Sequence, residues 1–160
     1  MAVPTRFTRA RAVLLAGMLV LTMLVTSSLP VAAQRETRNP TLREQKIERV
    51  IGIAKKQIGD PWVWGRRGPN AFDCSGLTSW AWAQAGVSIP RTSGGQAGLP
   101  SVPLSELQPG DLVTYYSPVS HVAMYIGNGQ VVHASTETRP VYVTTVSGAG
   151  PNATGHRVTG

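Results

Sequence analysis

Gly127-Asn128-Gly129 separates two apolar runs, His121 to Ile126 and Gln130 to Ala134, and restricts the fold more than any other feature of this chain. Short runs rich in Val, Ile and Tyr, joined through adjacent Gly and Asn, read as an antiparallel hairpin. Each strand carries one histidine, so the turn decides whether His121 and His133 share a face. If Asn128-Gly129 is a two-residue type I′ turn, Ile126 pairs with Val131 and His133 lies opposite Met124. Facing alternates along a strand, and the two rings then point to opposite sides of the sheet. If Gly127-Asn128-Gly129 is a three-residue loop with Gly129 left-handed, Ile126 pairs with Gln130 and His133 lies opposite Ala123. The rings then share a face. Both turns suit the residues locally.

The remaining segments define the class. Thr41-Leu42-Arg43-Glu44 fits a capping box, with Thr41 as N-cap and Glu44 reaching back. Ile47, Val50, Ile51, Ala54 and Ile58 recur at helical spacing, which predicts an amphipathic helix over 42–58 closed by Gly59. Asp60 to Ala71 reads as loop. A second helix begins near Cys74 and ends at Gly86. Residues 87–110, punctuated by Pro and Gly, are expected to be irregular. Asp111 to Tyr116 is a strand before the hairpin, Val141 to Val146 one after it, and His156-Arg157-Val158 marks a last short one. Helices first and an antiparallel sheet second predict an α+β fold.

Residues 1–33 have the three parts of an export signal. Arg6, Arg9 and Arg11 form a basic start, Val13 to Val25 an apolar core, and Leu29-Pro30-Val31-Ala32-Ala33 a small-residue end suited to cleavage after Ala33. A retained membrane anchor is the rival reading, since no charge falls between Ala12 and Gln34. Thr26-Ser27-Ser28-Leu29-Pro30 interrupts the run, and a span needs about 20 apolar residues. Membrane contact is therefore expected only transiently, through this segment. Residues 34–40 form a short lead, and 41–160 suffice for one compact domain. The signal holds three of the 15 basic residues and none of the eight acidic ones, which leaves the remainder at +4. A mild, unclustered charge on an exported chain argues against nucleic acid as partner. It suits anionic envelope polymers, or simply a solvated surface.

Cys74 is the sole cysteine, and exported proteins normally pair theirs in disulfides. A leftover cysteine implies an intermolecular bridge or a reactive thiol. Placement at a helix N-terminus favours a thiolate. A thiol nucleophile also needs a base, and that base needs an orienting partner. A lone histidine on a strand is more often structural, and a lone cysteine is more often a small buried hydrophobe. Two histidines flanking one hairpin change that balance, provided the three-residue loop sets the register. That register is the one predicted here, because it alone assembles Cys74, His121 and His133. A zinc site fits poorly, since these residues lack the close paired spacing of known sites. No cofactor is expected.

Trp62-Val63-Trp64-Gly65, Phe72-Asp73-Cys74-Ser75-Gly76-Leu77, Gly86 to Ser93 and Gln96 resemble the first half of an NlpC/P60 cysteine peptidase domain. Leu107-Gln108-Pro109-Gly110-Asp111-Leu112-Val113 and His121 to Gly129 with Val132-His133-Ala134 resemble its later blocks. The likeness runs from about Ile47 to Val158, in the family's order. It implies a circularly permuted papain-like fold, and endopeptidase action on peptidoglycan stem peptides. The usual target is the bond between D-γ-glutamyl and diaminopimelate. By position, the resemblance makes Cys74 the nucleophile, His121 the general base and His133 its orienting partner. It also implies that Asp73 and Ser75 bind substrate, although Asp73 serves equally as the helix N-cap. The family commonly has Tyr where Trp62 stands, and an indole N–H cannot replace a phenol's acceptor. It commonly has Gly at the position of Arg66, whose cation could select an acidic substrate group or lie solvated. The implied protein is secreted, acts on the cell envelope and works as a monomer. An amidase cleaving the sugar–peptide link, or a non-catalytic wall-binding module, are the alternative functions.

Overall fold

The computed structural model describes residues 40–136 and 138–160. The export-signal expectation falls on residues 1–33, outside the described part. The first helix, α1 (Leu42–Lys55), starts where its capping box dictates. Thr41 Oγ1 accepts the Glu44 N–H at 3.2 Å, and Glu44 Oε2 accepts the Thr41 N–H at 2.7 Å. It ends before the expected Ile58. The N–H groups of Gln57 and Ile58 bond three residues back, and Gly59 donates to the Val141 carbonyl at 2.9 Å. Tertiary pairing thus tightens and stops the last turn. The second helix, α2 (Cys74–Gln84), is capped by Asp73 and buries Leu77, Ala81 and Trp82.

The stretch expected to be irregular holds a short helix, α3 (Ser93–Gln96), a two-residue strand, β1 (Ser101–Val102), and a 3₁₀ turn over Leu104–Glu106. Two glycines in four residues give α3 little intrinsic preference for helix. It forms because Thr92 caps it and the fully buried Gln96 ties it down. Gln96 Nε2 donates to the carbonyls of Pro90 at 2.8 Å and Ser75 at 3.2 Å, and its Oε1 accepts the Thr78 hydroxyl at 2.8 Å.

The other strands are β2 (Leu112–Tyr115), β3 (His121–Gly127), β4 (Gln130–His133), β5 (Tyr142–Thr145) and β6 (Thr154–His156). They form one sheet in the order β1-β6-β2-β3-β4-β5, with every neighbouring pair antiparallel. The last strand ends earlier than expected because it slots between β1 and β2. Alternate residues of the central strands sort into two cores. Leu112, Val122, Met124 and Val132 pack with Val50, Ala54, Leu77, Ala81 and Trp82 of the helices. Val113, Tyr115, Ala123 and Val131 pack with Ala149 on the other face.

The hairpin reaches the predicted outcome by a different turn. Asn128 and Gly129 both have positive φ, 54° and 70°, as a two-residue type I′ turn requires. That turn closes on Gly127 and Gln130, but Ile126 does not go on to pair with Val131. The register then slips between Tyr125 and Gly127, so Ile126 is an extra, bulged residue, and Tyr125 pairs with Val131. Continuing from Met124 opposite Val132, His133 falls opposite Ala123. The turn puts the extra residue before Gly127, whose φ of 95° suits glycine. Gly127→Ala should therefore lower stability by about 1–3 kcal/mol. Gly52→Ala, on α1 with nothing within 4 Å of the added Cβ, should raise it by about 0.5–1 kcal/mol. Thermal melts of the two variants check the opposite signs.

Candidate active site

Cys74 is the first residue of α2, and the backbone N–H groups of Val122 and Ser75 near its sulfur favour the thiolate. Val122 follows His121, so the start of α2 meets the start of β3. Cys74 and His121 accordingly line one open cleft of about 530 Å3. Behind His121, the bulged register delivers His133, and His121 Nε2 stands 2.8 Å from His133 Nδ1. The rings meet edge to face, their centroids 5.1 Å apart. With Nε2 engaged, the nitrogen of His121 left for a thiol is Nδ1. Tyr115, fully buried and paired with His121 across the sheet, packs its ring against that imidazole at 5.6 Å.

Burial controls the ionisation of this group. It pushes the Cys74 thiol up from its ordinary value, although the Val122 and Ser75 N–H groups pull the other way and the Asp73 charge adds to the rise. The expected helix-terminal lowering of this thiol is thus outweighed by desolvation. Burial also lowers His121 to about 4. His133 falls to about 4 through burial, with the charges of His121 and Arg139 in support. Burial raises the thiol and lowers the imidazole, and both shifts favour a neutral pair over an ion pair.

The start of α2 is clamped by groups distant in sequence. Asp73 Oδ1 caps the Gly76 N–H at 2.6 Å. Arg91 grips both carboxylate oxygens, Nη1 to Oδ1 at 3.0 Å and Nη2 to Oδ2 at 2.7 Å, and Nη1 also donates to Ser75 Oγ at 3.0 Å. Planar bidentate pairing of this kind fixes orientation as well as charge. Gly76 is required by close approach, because a Cβ there would collide with the Arg66 carbonyl. That same carbonyl accepts the Asp73 N–H at 2.9 Å.

The sequence-predicted residues divide accordingly. Trp62, Asp73, Cys74, Ser75 and His121 line the cleft, and His133 lies just behind it. The Asp73 and Ser75 side chains are spent largely on one another and on Arg91. Arg66 is exposed and lines a separate depression with Gly68, Pro69, Asn70 and Ala71, while its backbone carbonyl accepts the Asp73 N–H. Sequence reasoning missed Arg91, Trp64 and Tyr116, which complete the cleft walls. Arg91 and Asp73 are 18 positions apart with no local pattern joining them. Trp64 and Trp62 stand at alternate positions, and that spacing was a readable sign of a shared aromatic wall, their rings 6.3 Å apart. Among the described residues no three His, Cys, Asp or Glu side chains are grouped as metal ligands.

The chain is similar in sequence and fold to known proteins. The sequence profile of the NlpC/P60 family matches residues 59–159. A protein named probable endopeptidase from Corynebacterium glutamicum is 53% identical over 94 residues, covering 58% of this chain and 44% of that protein. A probable endopeptidase from Mycobacterium tuberculosis is 48% identical over 103 residues, 64% of this chain and 27% of the other. The chain thus spans less than half the length of these curated relatives. The solved structure of the peptidoglycan hydrolase RipB from Mycobacterium tuberculosis aligns with a TM-score of 0.67 at 35% identity, over 82% of this chain and 72% of that one. The α+β, papain-like arrangement expected from the sequence is shared with this neighbour. The chain belongs to the NlpC/P60 family.

Proposed function

We propose that this protein is a secreted cysteine endopeptidase that hydrolyses peptidoglycan stem peptides, with the D-γ-glutamyl–diaminopimelate bond as target. The observation that carries the reading is one cleft holding the Cys74 sulfur at a helix start beside His121, itself hydrogen-bonded to His133. In the first step, His121 Nδ1 takes the Cys74 proton as the sulfur attacks the scissile carbonyl carbon. The backbone N–H of Cys74, at the start of α2, stabilises the oxyanion. The imidazolium, supported by His133, gives its proton to the leaving amine, and a thioester remains on Cys74. Water then attacks the thioester carbonyl while His121 takes its proton. Collapse of the intermediate breaks the C–S bond, releases the carboxylate and returns the proton to sulfur. Trp62, with Trp64 and Tyr116, forms the aromatic walls along which the stem peptide lies. Asp73 and Ser75 face the substrate backbone, held in place by Arg91. Arg66 serves the site through its backbone carbonyl, which holds the Asp73 N–H.

Mass spectrometry of defined muropeptides after incubation tests the assignment. Cleavage between the second and third stem residues is expected, with no product from Cys74→Ala and none from His121→Ala. His133→Ala should retain a small residual rate. Release of the whole peptide from the sugar would identify an amidase instead. Binding without product in wild type would identify a wall-binding module.

The pH profile follows from burial. A proton added to neutral His121 removes the base, so activity is lost on the acid side only as pH falls towards about 4. On the alkaline side, loss of the thiol proton removes the acid needed by the leaving amine, above the usual thiol value of about 8.5. A kcat/KM plateau from about pH 5 to 8 is expected. An acid limb near 6.5 would contradict it. Export is checked separately: mass spectrometry of protein recovered outside the cell should find Gln34 at the N-terminus.

A further inference from the structure

Tyr142 is a further aromatic neighbour of the histidine pair, and none of the chemistry above uses it. It opens β5 and pairs directly with His133 across the sheet. The two ring centroids are 4.4 Å apart, with the planes tilted by 57°. His133 is fully buried, and its two nitrogens have different fates. Nδ1 faces His121 Nε2 at 2.8 Å, whereas Nε2 is buried with no nitrogen or oxygen partner among the described residues. The strand order β3-β4-β5 sets Tyr142 on the side of His133 away from His121. With the Nδ1 edge of the imidazole turned to β3, the opposite edge, which carries Nε2, is turned to β5.

We propose that Tyr142 is a positioning residue whose aromatic face receives the Nε2–H of His133 and thereby selects the tautomer of the whole histidine pair. An N–H aimed at an aromatic face is favourable, because that face is the negative part of the ring quadrupole. A nitrogen lone pair aimed there is repelled. His133 stays neutral down to about pH 4, so it carries one proton and the tautomer is its only freedom. With that proton on Nε2, His133 Nδ1 must accept, and the proton of neutral His121 sits on Nε2. The Nδ1 lone pair of His121 is then free for the Cys74 thiol. The opposite tautomer would make His133 Nδ1 the donor and put the His121 proton on Nδ1, where it blocks the thiol. Arg139, its guanidinium carbon 5.5 Å from the centre of the Tyr142 ring, steadies that ring by a cation–π contact. The Tyr142 hydroxyl takes no part. The inference rests on the reading of His121 as the base.

Nitrogen-15 NMR of the labelled protein at neutral pH reports which ring nitrogen of each histidine carries the proton. In wild type, His133 must be protonated at Nε2, and protonation at Nδ1 overturns the proposal whether or not any variant folds. Tyr142→Phe keeps the aromatic face, and should retain the wild-type tautomer with kcat within about twofold. Tyr142→Leu removes the face. It should mix the tautomers and lower kcat roughly tenfold while KM holds within about twofold, the pattern of a lost transition-state arrangement. A wild-type tautomer in Tyr142→Leu, or equal damage in Tyr142→Phe, would overturn the assignment. Thermal melts of both variants separate these effects from unfolding. The tautomer readout needs no turnover, so failure of wild type to cleave muropeptides overturns the peptidase reading and leaves the NMR result to decide on Tyr142.

Discussion

The 2.8 Å contact between His121 Nε2 and His133 Nδ1 is the interaction on which the site depends, and it exists only because of one inserted residue. A strand pairing shifted by a single position turns every following side chain to the other face. Ile126 absorbs that shift beside the Asn128-Gly129 turn, so the two imidazoles meet on one face of the sheet instead of facing apart. A β-bulge re-aims a side chain without breaking the ladder on either side of it. Here the ladder continues through Met124 and Val132 into the helix-facing core, which locks the register.

Burial then decides how such a group works. Removing a thiol and two imidazoles from water disfavours every charged form, and a helix terminus contributes less than that cost at Cys74. A neutral resting pair needs its proton-transfer geometry built in advance, because no Coulombic attraction holds thiolate to imidazolium. The structure meets this need with covalently distant supports. Arg91 holds Asp73, Asp73 caps α2, and Gln96 ties the loop carrying Arg91 to the same helix. Each support fixes the first turn of α2, where the sulfur sits.

Much of this was legible in residues that act on near neighbours. The capping box at Thr41, the helix starting at Cys74 and the existence of the hairpin all follow from spacings of a few positions. The turn type was not legible, because Gly127-Asn128-Gly129 satisfies two turns equally and packing beyond the hairpin chooses between them. A register argument that demanded a shared histidine face still put His133 opposite Ala123, where the observed register continues. For Arg66 the sequence left open a substrate-selecting or a solvated cation, because it does not say which way the side chain points. The structure leaves it exposed, in a depression separate from the cleft. Arg91 escaped notice because ion pairs formed by folding leave no periodic trace. The ionisation of Cys74 was misjudged because burial, a property of the whole fold, overrides the local effect of a helix start.

The paired imidazoles are the claim to test first, and a scalar coupling across their hydrogen bond tests it most directly. In nitrogen-15 spectra, the account predicts a measurable coupling between His121 Nε2 and His133 Nδ1. It also predicts that both rings stay neutral as pH is lowered towards about 4. Absence of the coupling, with the two rings titrating independently near the ordinary imidazole value of about 6.5, would contradict it.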